Sequence, residues 1–348
     1  MKPIHAVVIA LMLAGGPALA QPASPGARDV PAKILPVPDT VSPQMQVIIG
    51  QPYGPIWNVV PKSPGEWKAI VDKAAAQVIA GLSALREQLS VSVQPTTIAG
   101  VKAFLVTPKE IPPRNRDRVL VHVHGGYYVL APGEAGTREA ILLAGFGGFK
   151  VISIDYRMPP DFPYPAAIDD AIAVYRAVLE TTPSRNVGVF GTSAGGGLTL
   201  AMVLRAKMEH LPLPGAIAPG TPWSDLTKTG DTYFTNEMVD NVLVSDDGFL
   251  HAAALLYANG HDLKDPLLSP VYGDMHGFPP TILTSGTRDL FLSNTVRVHR
   301  KLREAGVEAV LQVFEGESHA QYYRDINAPE TREYNMEVAE FFDRHLGR

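Results

Sequence analysis

The chain has 348 residues, 46% hydrophobic and 19% charged, a composition that supports a large core and excludes disordered or collagen-like chains. Its formal charge of -5 removes the general electrostatic attraction that a nucleic-acid partner requires. Without cysteine, disulfides, thiolate catalysis, iron–sulfur clusters and cysteine–zinc sites are excluded together, and a covalent nucleophile has to be an oxygen or an amine.

The opening MKPIHAVVIALMLAGGPALA joins Lys2 to an apolar run from Ala6 to Ala14 and a small-residue pattern at Ala18-Leu19-Ala20. This is the form of a cleavable export signal over residues 1–20, which implies a periplasmic or extracellular protein. The run falls short of the ~20 residues that cross a membrane, and no later segment is long enough, so no span is expected. Ten prolines between Pro22 and Pro64 lock φ and remove amide donors. That stretch reads as an extended arm without a regular helix or a central strand.

At Ser63-Pro64-Gly65-Glu66 a capping serine, a proline in the first helical position and a glutamate able to reach back begin a helix. Trp67, Ile70, Val71, Ala74, Val78, Leu82, Leu85 and Leu89 give it one apolar face. The period then changes to two: Val91-Ser92-Val93 and Lys102-Ala103-Phe104-Leu105-Val106 predict an antiparallel hairpin. After a proline-rich linker, strands are expected near 119–123, 150–154, 186–190, 215–218, 281–285 and 309–314, with helices at Ala166–Leu179, Gly195–Lys207 and Ser293–Ala305. Strands alternating with helices imply a mainly parallel sheet covered by helices. Residues 225–270 interrupt the alternation and contain a helical pattern from Phe249 to Tyr257. The expected organisation is an arm with cap helices over 21–90, a core over 91–224 and 271–348, and a cap insertion over 225–270.

The strongest chemical signal is Gly191-Thr192-Ser193-Ala194-Gly195, a Gly-x-Ser-x-Gly that leaves an apolar strand and enters a helix. In that setting the serine sits on a sharp turn and projects above the sheet edge. Upstream, an apolar strand ends in His124-Gly125-Gly126-Tyr127. Backbone amides freed there can face a developing oxyanion, which makes Gly126 and Tyr127 candidates, with Ala194 as the third donor. His122 and His124 alternate with valine, but nothing follows at ligand spacing, so structural roles are expected and no metal.

These segments resemble the hormone-sensitive-lipase-like branch of the α/β-hydrolases, bacterial carboxylesterases with an N-terminal cap. The resemblance rests on His124-Gly125-Gly126, Asp155-Tyr156-Arg157 with Pro159-Pro160, Gly191-Thr192-Ser193-Ala194-Gly195, Pro222-Trp223-Ser224-Asp225-Leu226, Gly286-Thr287-Arg288-Asp289-Leu290 and Glu317-Ser318-His319, and covers the chain from about Lys102 onward. It implies an α/β-hydrolase fold with a helical cap, and a scaffold role for Asp155 and Arg157. The chain departs from the family at Tyr127, where a third glycine is usual, which keeps an amide but changes the wall of the site.

A serine hydroxyl needs a base, and the base needs an orienting acid; in this fold the chain order is Ser, acid, His. His319 lies in a polar loop after a late strand and Asp289 at the end of the strand before it, so the expected triad is Ser193, Asp289 and His319. Asp262, Asp265 and Asp274 precede that strand and are poorer candidates. Tyr128, Trp223, Met238 and Phe249 are candidate pocket residues. No phosphate loop, dinucleotide fingerprint or EF-hand is present, so no cofactor is expected. The expected activity is hydrolysis of small carboxylic esters of short to medium chain through an acyl-enzyme. A lactonase or amidase could use the same residues, and a non-catalytic ligand receptor is a further alternative. The oligomeric state is left open.

Overall fold

A computed structural model describes residues 26–347, so the export signal expected at 1–20 lies outside the described residues. By internal contacts the chain divides at Pro36. Residues 26–36 are exposed and carry no helix or strand. Everything described below belongs to the second unit, Val37–Arg348.

The proline-rich stretch holds a helix that the proline count excluded. In α1 (Pro43–Ile49), the Ser42 hydroxyl accepts from the Met45 amide at 3.1 Å, and Met45, Ile48 and Ile49 are buried. Pro43 stands at the first helical position, where an amide is not needed, and no proline recurs until Pro52. The spacing of the prolines, not their number, decides the outcome.

The long helix α2 (Pro64–Leu89) starts at the expected serine, whose Oγ accepts from the Glu66 amide at 3.3 Å. Glu66 reaches one residue further than a capping box requires and accepts from the Lys62 amide at 2.8 Å. Trp67, Val71, Leu82 and Leu85 are buried along its predicted face.

Eight strands form one sheet: β1 (Val91–Ile98), β2 (Val101–Pro108), β3 (Val119–Val123), β4 (Lys150–Ile154), β5 (Val187–Thr192), β6 (Ala216–Gly220), β7 (Thr281–Gly286) and β8 (Ala309–Phe314). Their spatial order is β1-β2-β4-β3-β5-β6-β7-β8. β1 and β2 are the predicted hairpin, β2 is antiparallel to β4, and every later pairing is parallel. Pro95 is tolerated because β1 is an edge strand. Every residue of β5 and β7 is buried, as a strand covered by helices on both faces demands. The helices in chain order are α3 (Arg138–Gly147), α4 (Ala166–Leu179), α5 (Ala194–Met208), α6 (Thr232–Thr235), α7 (Phe249–Ala258), α8 (Leu292–Glu304) and α9 (Pro329–His345). α6 and α7 lie in the irregular connection between β6 and β7, where the insertion was expected. Because β3, β5, β6, β7 and β8 run in parallel, the loops that leave their C-terminal ends share one edge of the sheet, where α/β folds place their ligands.

Candidate active site

Ser193 is the single residue between β5 and α5, with φ 64° and ψ -123°. A non-glycine residue is strained there by about 1–3 kcal/mol. The turn is held from three sides: the Ser193 amide donates to Gly220 O at 2.9 Å, and Ser193 O accepts from the Gly197 and Trp223 amides at 3.0 and 2.9 Å. The glycines on either side have a steric reason. A Cβ at Gly191 would stand 2.0 Å from Val123 O, and one at Gly195 would stand 2.1 Å from the same oxygen. The motif thus brings β3 and its following turn against the serine.

Asp289 and His319 come together after β7 and β8. His319 Nδ1 and Asp289 Oδ1 are 3.0 Å apart. Since a carboxylate only accepts, Nδ1 carries the proton of that bond, and the neutral ring presents a lone pair at Nε2. That Nε2 is buried and has no hydrogen-bond partner among the described residues. Asp289 is fully buried and fully used: it also accepts from the Phe291 amide at 2.8 Å, from Ser285 Oγ at 3.0 Å and from Thr221 Oγ1. The Phe291 ring meets the imidazole edge-on at 4.9 Å between centroids. Ser193 itself is 8% exposed.

A second carboxylate stands beside this pair and was missed by sequence reasoning. Asp240, fully buried, accepts from four backbone amides: Val242 at 2.8 Å, Leu243 at 3.1 Å, Leu290 at 2.9 Å and His319 at 3.3 Å. It therefore joins its own turn to the residue after Asp289 and to the histidine. Burial, followed by the charge of Asp289, raises its pKa, while His319 and the amides of Leu290 and Val242 oppose that. Its bonds to its own turn are a local signal of an aspartate turn; the reach to Leu290 and His319 is tertiary and leaves no trace in the sequence. Asn236 supports the same loop, donating to the carbonyls of Thr287 at 3.2 Å and Asp289 at 2.9 Å.

The turn after β3 has positive φ at three successive residues: Gly126 (111°), Tyr127 (59°) and Tyr128 (62°). Gly126 O accepts from the Val129 and Leu130 amides at 2.9 and 2.7 Å, and no backbone acceptor among the described residues takes the amides of Gly126 or Tyr127. The Ala194 amide opens α5 and so lacks an intrahelical acceptor. His124 stabilises the turn from below: its Nδ1 is 2.8 Å from Gly125 O, its carbonyl accepts from the Tyr156 hydroxyl at 2.7 Å, and its ring stacks on Tyr156. Burial pulls its pKa down to about 4, so the ring is neutral. His122 is engaged at both nitrogens, with Ser153 Oγ at 2.9 Å and Glu139 Oε2 at 3.3 Å.

Three of the four candidate pocket residues pack together. Tyr127 lies edge-on to Phe249 at 5.1 Å and to Trp223 at 6.5 Å, while Tyr128 contacts Trp223 at 6.0 Å. Phe249 also meets Trp67 of α2 at 5.1 Å. Met238 falls outside this cluster: it is 48% exposed at a positive-φ turn, bonded through its backbone to Val244 O and the Tyr53 hydroxyl. Asp155 and Arg157 brace different loops. Asp155 accepts from the Gly133 amide at 2.7 Å, and Arg157 forms a forked pair with Asp170. The rival acids are engaged away from the histidine: Asp262 and Asp265 accept within their own turns, and Asp274 pairs with Lys207 and His276.

Comparison with known proteins agrees with this fold. A family model described as alpha/beta hydrolase fold matches residues 120–323. An acetyl-hydrolase of Streptomyces hygroscopicus is 32% identical over 232 residues, 66% of this chain and 77% of its own length. An esterase of Acinetobacter venetianus is 29% identical over 257 residues, 72% of this chain and 82% of its own. Among solved structures, an esterase designated E25 matches with a TM-score of 0.89 at 45% identity, covering 92% of this chain and 99% of that one. A hormone-sensitive lipase from a metagenome library matches with a TM-score of 0.70 at 29% identity, covering 80% and 96%.

Proposed function

The chain belongs to the α/β-hydrolase family, in its hormone-sensitive-lipase-like branch, and from that premise we propose that it is a serine carboxylesterase. The observation that carries the reading is the strained Ser193 on the same sheet edge as a buried Asp289–His319 pair whose Nε2 is unengaged. Ser193 Oγ attacks the ester carbonyl while His319 Nε2 takes its proton. The tetrahedral intermediate collapses as His319 returns that proton to the leaving alcohol, which leaves an acyl-enzyme. Water, deprotonated by the same nitrogen, then releases the acid and restores the serine. Asp289 fixes the imidazole tautomer and stabilises its charged form. The amides of Gly126, Tyr127 and Ala194 receive the oxyanion.

Short to medium acyl chains, about two to six carbons, fit a site walled by Tyr127, Trp223 and Phe249, since each buried methylene gains only ~0.8 kcal/mol and one clash can cost more. α2 and residues 225–270 form the cap; the packing of Trp67 against Phe249 and of Phe249 against Tyr127 supports that assignment. The signal-like pattern at 1–20 supports export to a periplasm or beyond the cell. Ser193→Ala and His319→Ala should each lower kcat by several orders of magnitude at unchanged stability. Retention of more than a few per cent of activity by Ser193→Ala would reassign the nucleophile.

A further inference from the structure

Beside the turn after β3 lies a cavity of about 350 Å³, bounded by α2, the loop that follows the turn, and the segment after His319. Gly125 and Gly126 form part of its wall, and a Cβ on Gly125 would stand 3.3 Å from the Ser193 Cβ, so the cavity adjoins the nucleophile's turn. Ala74, Val78 and Leu130 make an apolar side, and Arg138, Glu139 and Arg324 a polar one.

The charges on that polar side do not cancel locally. Glu139 is the one carboxylate in the wall, and it is engaged on its inner side: Oε1 accepts from Thr192 Oγ1 at 2.6 Å and from the Tyr334 hydroxyl at 3.3 Å, and Oε2 meets His122 Nε2 at 3.3 Å. Arg138 donates to the carbonyl of Arg324, and neither guanidinium has a carboxylate within ion-pair distance among the described residues. Burial lowers the pKa of Arg138, and the like charge of Arg324 adds to that against the opposing Tyr323 and Asp325. In the same wall, His124 Nε2 is buried without a partner; because Nδ1–H is given to Gly125 O, Nε2 is an acceptor and offers an anion no bond, so any anion would be held by the arginines alone. A pair of planar donors without an anion is the arrangement that a carboxylate completes.

We propose that this cavity binds a free carboxylate of the substrate, so that the preferred esters are acidic: half-esters of dicarboxylic acids, or esters whose alcohol part carries the carboxylate. This rests on Ser193 being the nucleophile, and neutral esters test that separately. The two sources of the carboxylate are distinguished by two matched pairs. The acyl arm sets the para-nitrophenyl half-ester of glutaric acid against para-nitrophenyl pentanoate. The alcohol arm sets para-acetoxybenzoate against para-acetoxybenzamide. In at least one arm the acidic member should have the larger kcat/KM, by about tenfold at low salt, with the ratio shrinking as ionic strength rises. Arg324 is exposed, so Arg324→Gln and Arg324→Glu are tolerated by the fold; the ratio should fall about tenfold in the first and further in the second. A ratio at or below one in both arms, or a preference that neither variant changes, would overturn the proposal. Turnover of neutral esters alongside that result would leave the esterase reading standing, whereas no turnover of any of the four would sink both.

Discussion

Asp240 is a buried carboxylate held by amides alone, with two of its four donors in the loops that carry Asp289 and His319. Replacing it with asparagine presents an NH₂ to amides that need an acceptor, so one oxygen's pair of bonds is lost while the triad side chains remain. Asp240→Asn should therefore lower kcat about tenfold or more with KM changed little, because positioning of the base, not substrate contact, is impaired. The acidic limb of its pH profile should also move, since a charge facing Asp289 and His319 has been removed. An unchanged kcat and an unchanged limb would reduce Asp240 to a turn residue. Tyr127 offers a second test. Its left-handed φ costs about 1 kcal/mol that glycine would not incur, and its ring is held between Phe249 and Trp223. Tyr127→Gly should keep the fold and shift the optimum of a para-nitrophenyl ester series toward longer acyl chains; an unaltered series would remove the ring from the account of selectivity.

At the level of elements, Asn241 ties α1 to the loop that carries His319. Its Nδ2 donates toward the carbonyls of Ile48, Ile49 and Gln51, at 3.2, 3.2 and 2.9 Å, and its Oδ1 accepts from Gln321 two residues beyond the histidine. Asn241→Ala removes the side-chain donor to the Ile49 carbonyl and the acceptor of the buried Gln321 amide, while Ile48 O keeps the Gln51 amide and Gln321 as donors; it should cost about 1–3 kcal/mol, measurable by urea unfolding, together with reduced activity. A loss below about 0.5 kcal/mol would mean that α1 is held by its apolar face and by the bonds of Glu330 to Ser42, without need of Asn241. How much of this was legible depended on range along the chain. The strand, Ser193 turn and helix are adjacent in sequence, so the motif and the hydrophobic pattern placed β5 and α5 to within two residues. The face of α2 was equally plain because its period is local. α1 was obscured by a proline count that ignored position. Asp240, Asn241 and the half-exposed Met238 lie in the irregular connection between β6 and β7, where side-chain surroundings come from distant loops and no periodicity records them.

For the whole molecule, pH is the clearest lever. Glu317 is fully buried, neither carboxyl oxygen has a hydrogen-bond partner among the described residues, and burial, with smaller repulsion from Glu330, Asp289 and Glu333, raises its pKa to about 8. A folded pKa above the unfolded one means that the stability linked to this group is complete below its ordinary value and is lost as pH rises through about 8. Glu317→Gln, which keeps the shape and cannot ionise, should therefore raise Tm relative to the parent by a few degrees at about pH 9, and by much less at about pH 5. An equal effect at both values would show that the carboxyl is already ionised at the lower one.

In the proposed mechanism one serine carries the acyl group through the whole reaction. A fluorophosphonate probe reacts with a serine only when a neighbouring base activates it, so titrating the intact protein with the probe, measuring residual ester hydrolysis and mapping the adduct by peptide mass spectrometry addresses that claim directly. One adduct per chain is expected, on Ser193, with hydrolysis falling in proportion to labelling and no labelling in His319→Ala. Full hydrolysis by a labelled protein, or an adduct on any other residue, would contradict that mechanism.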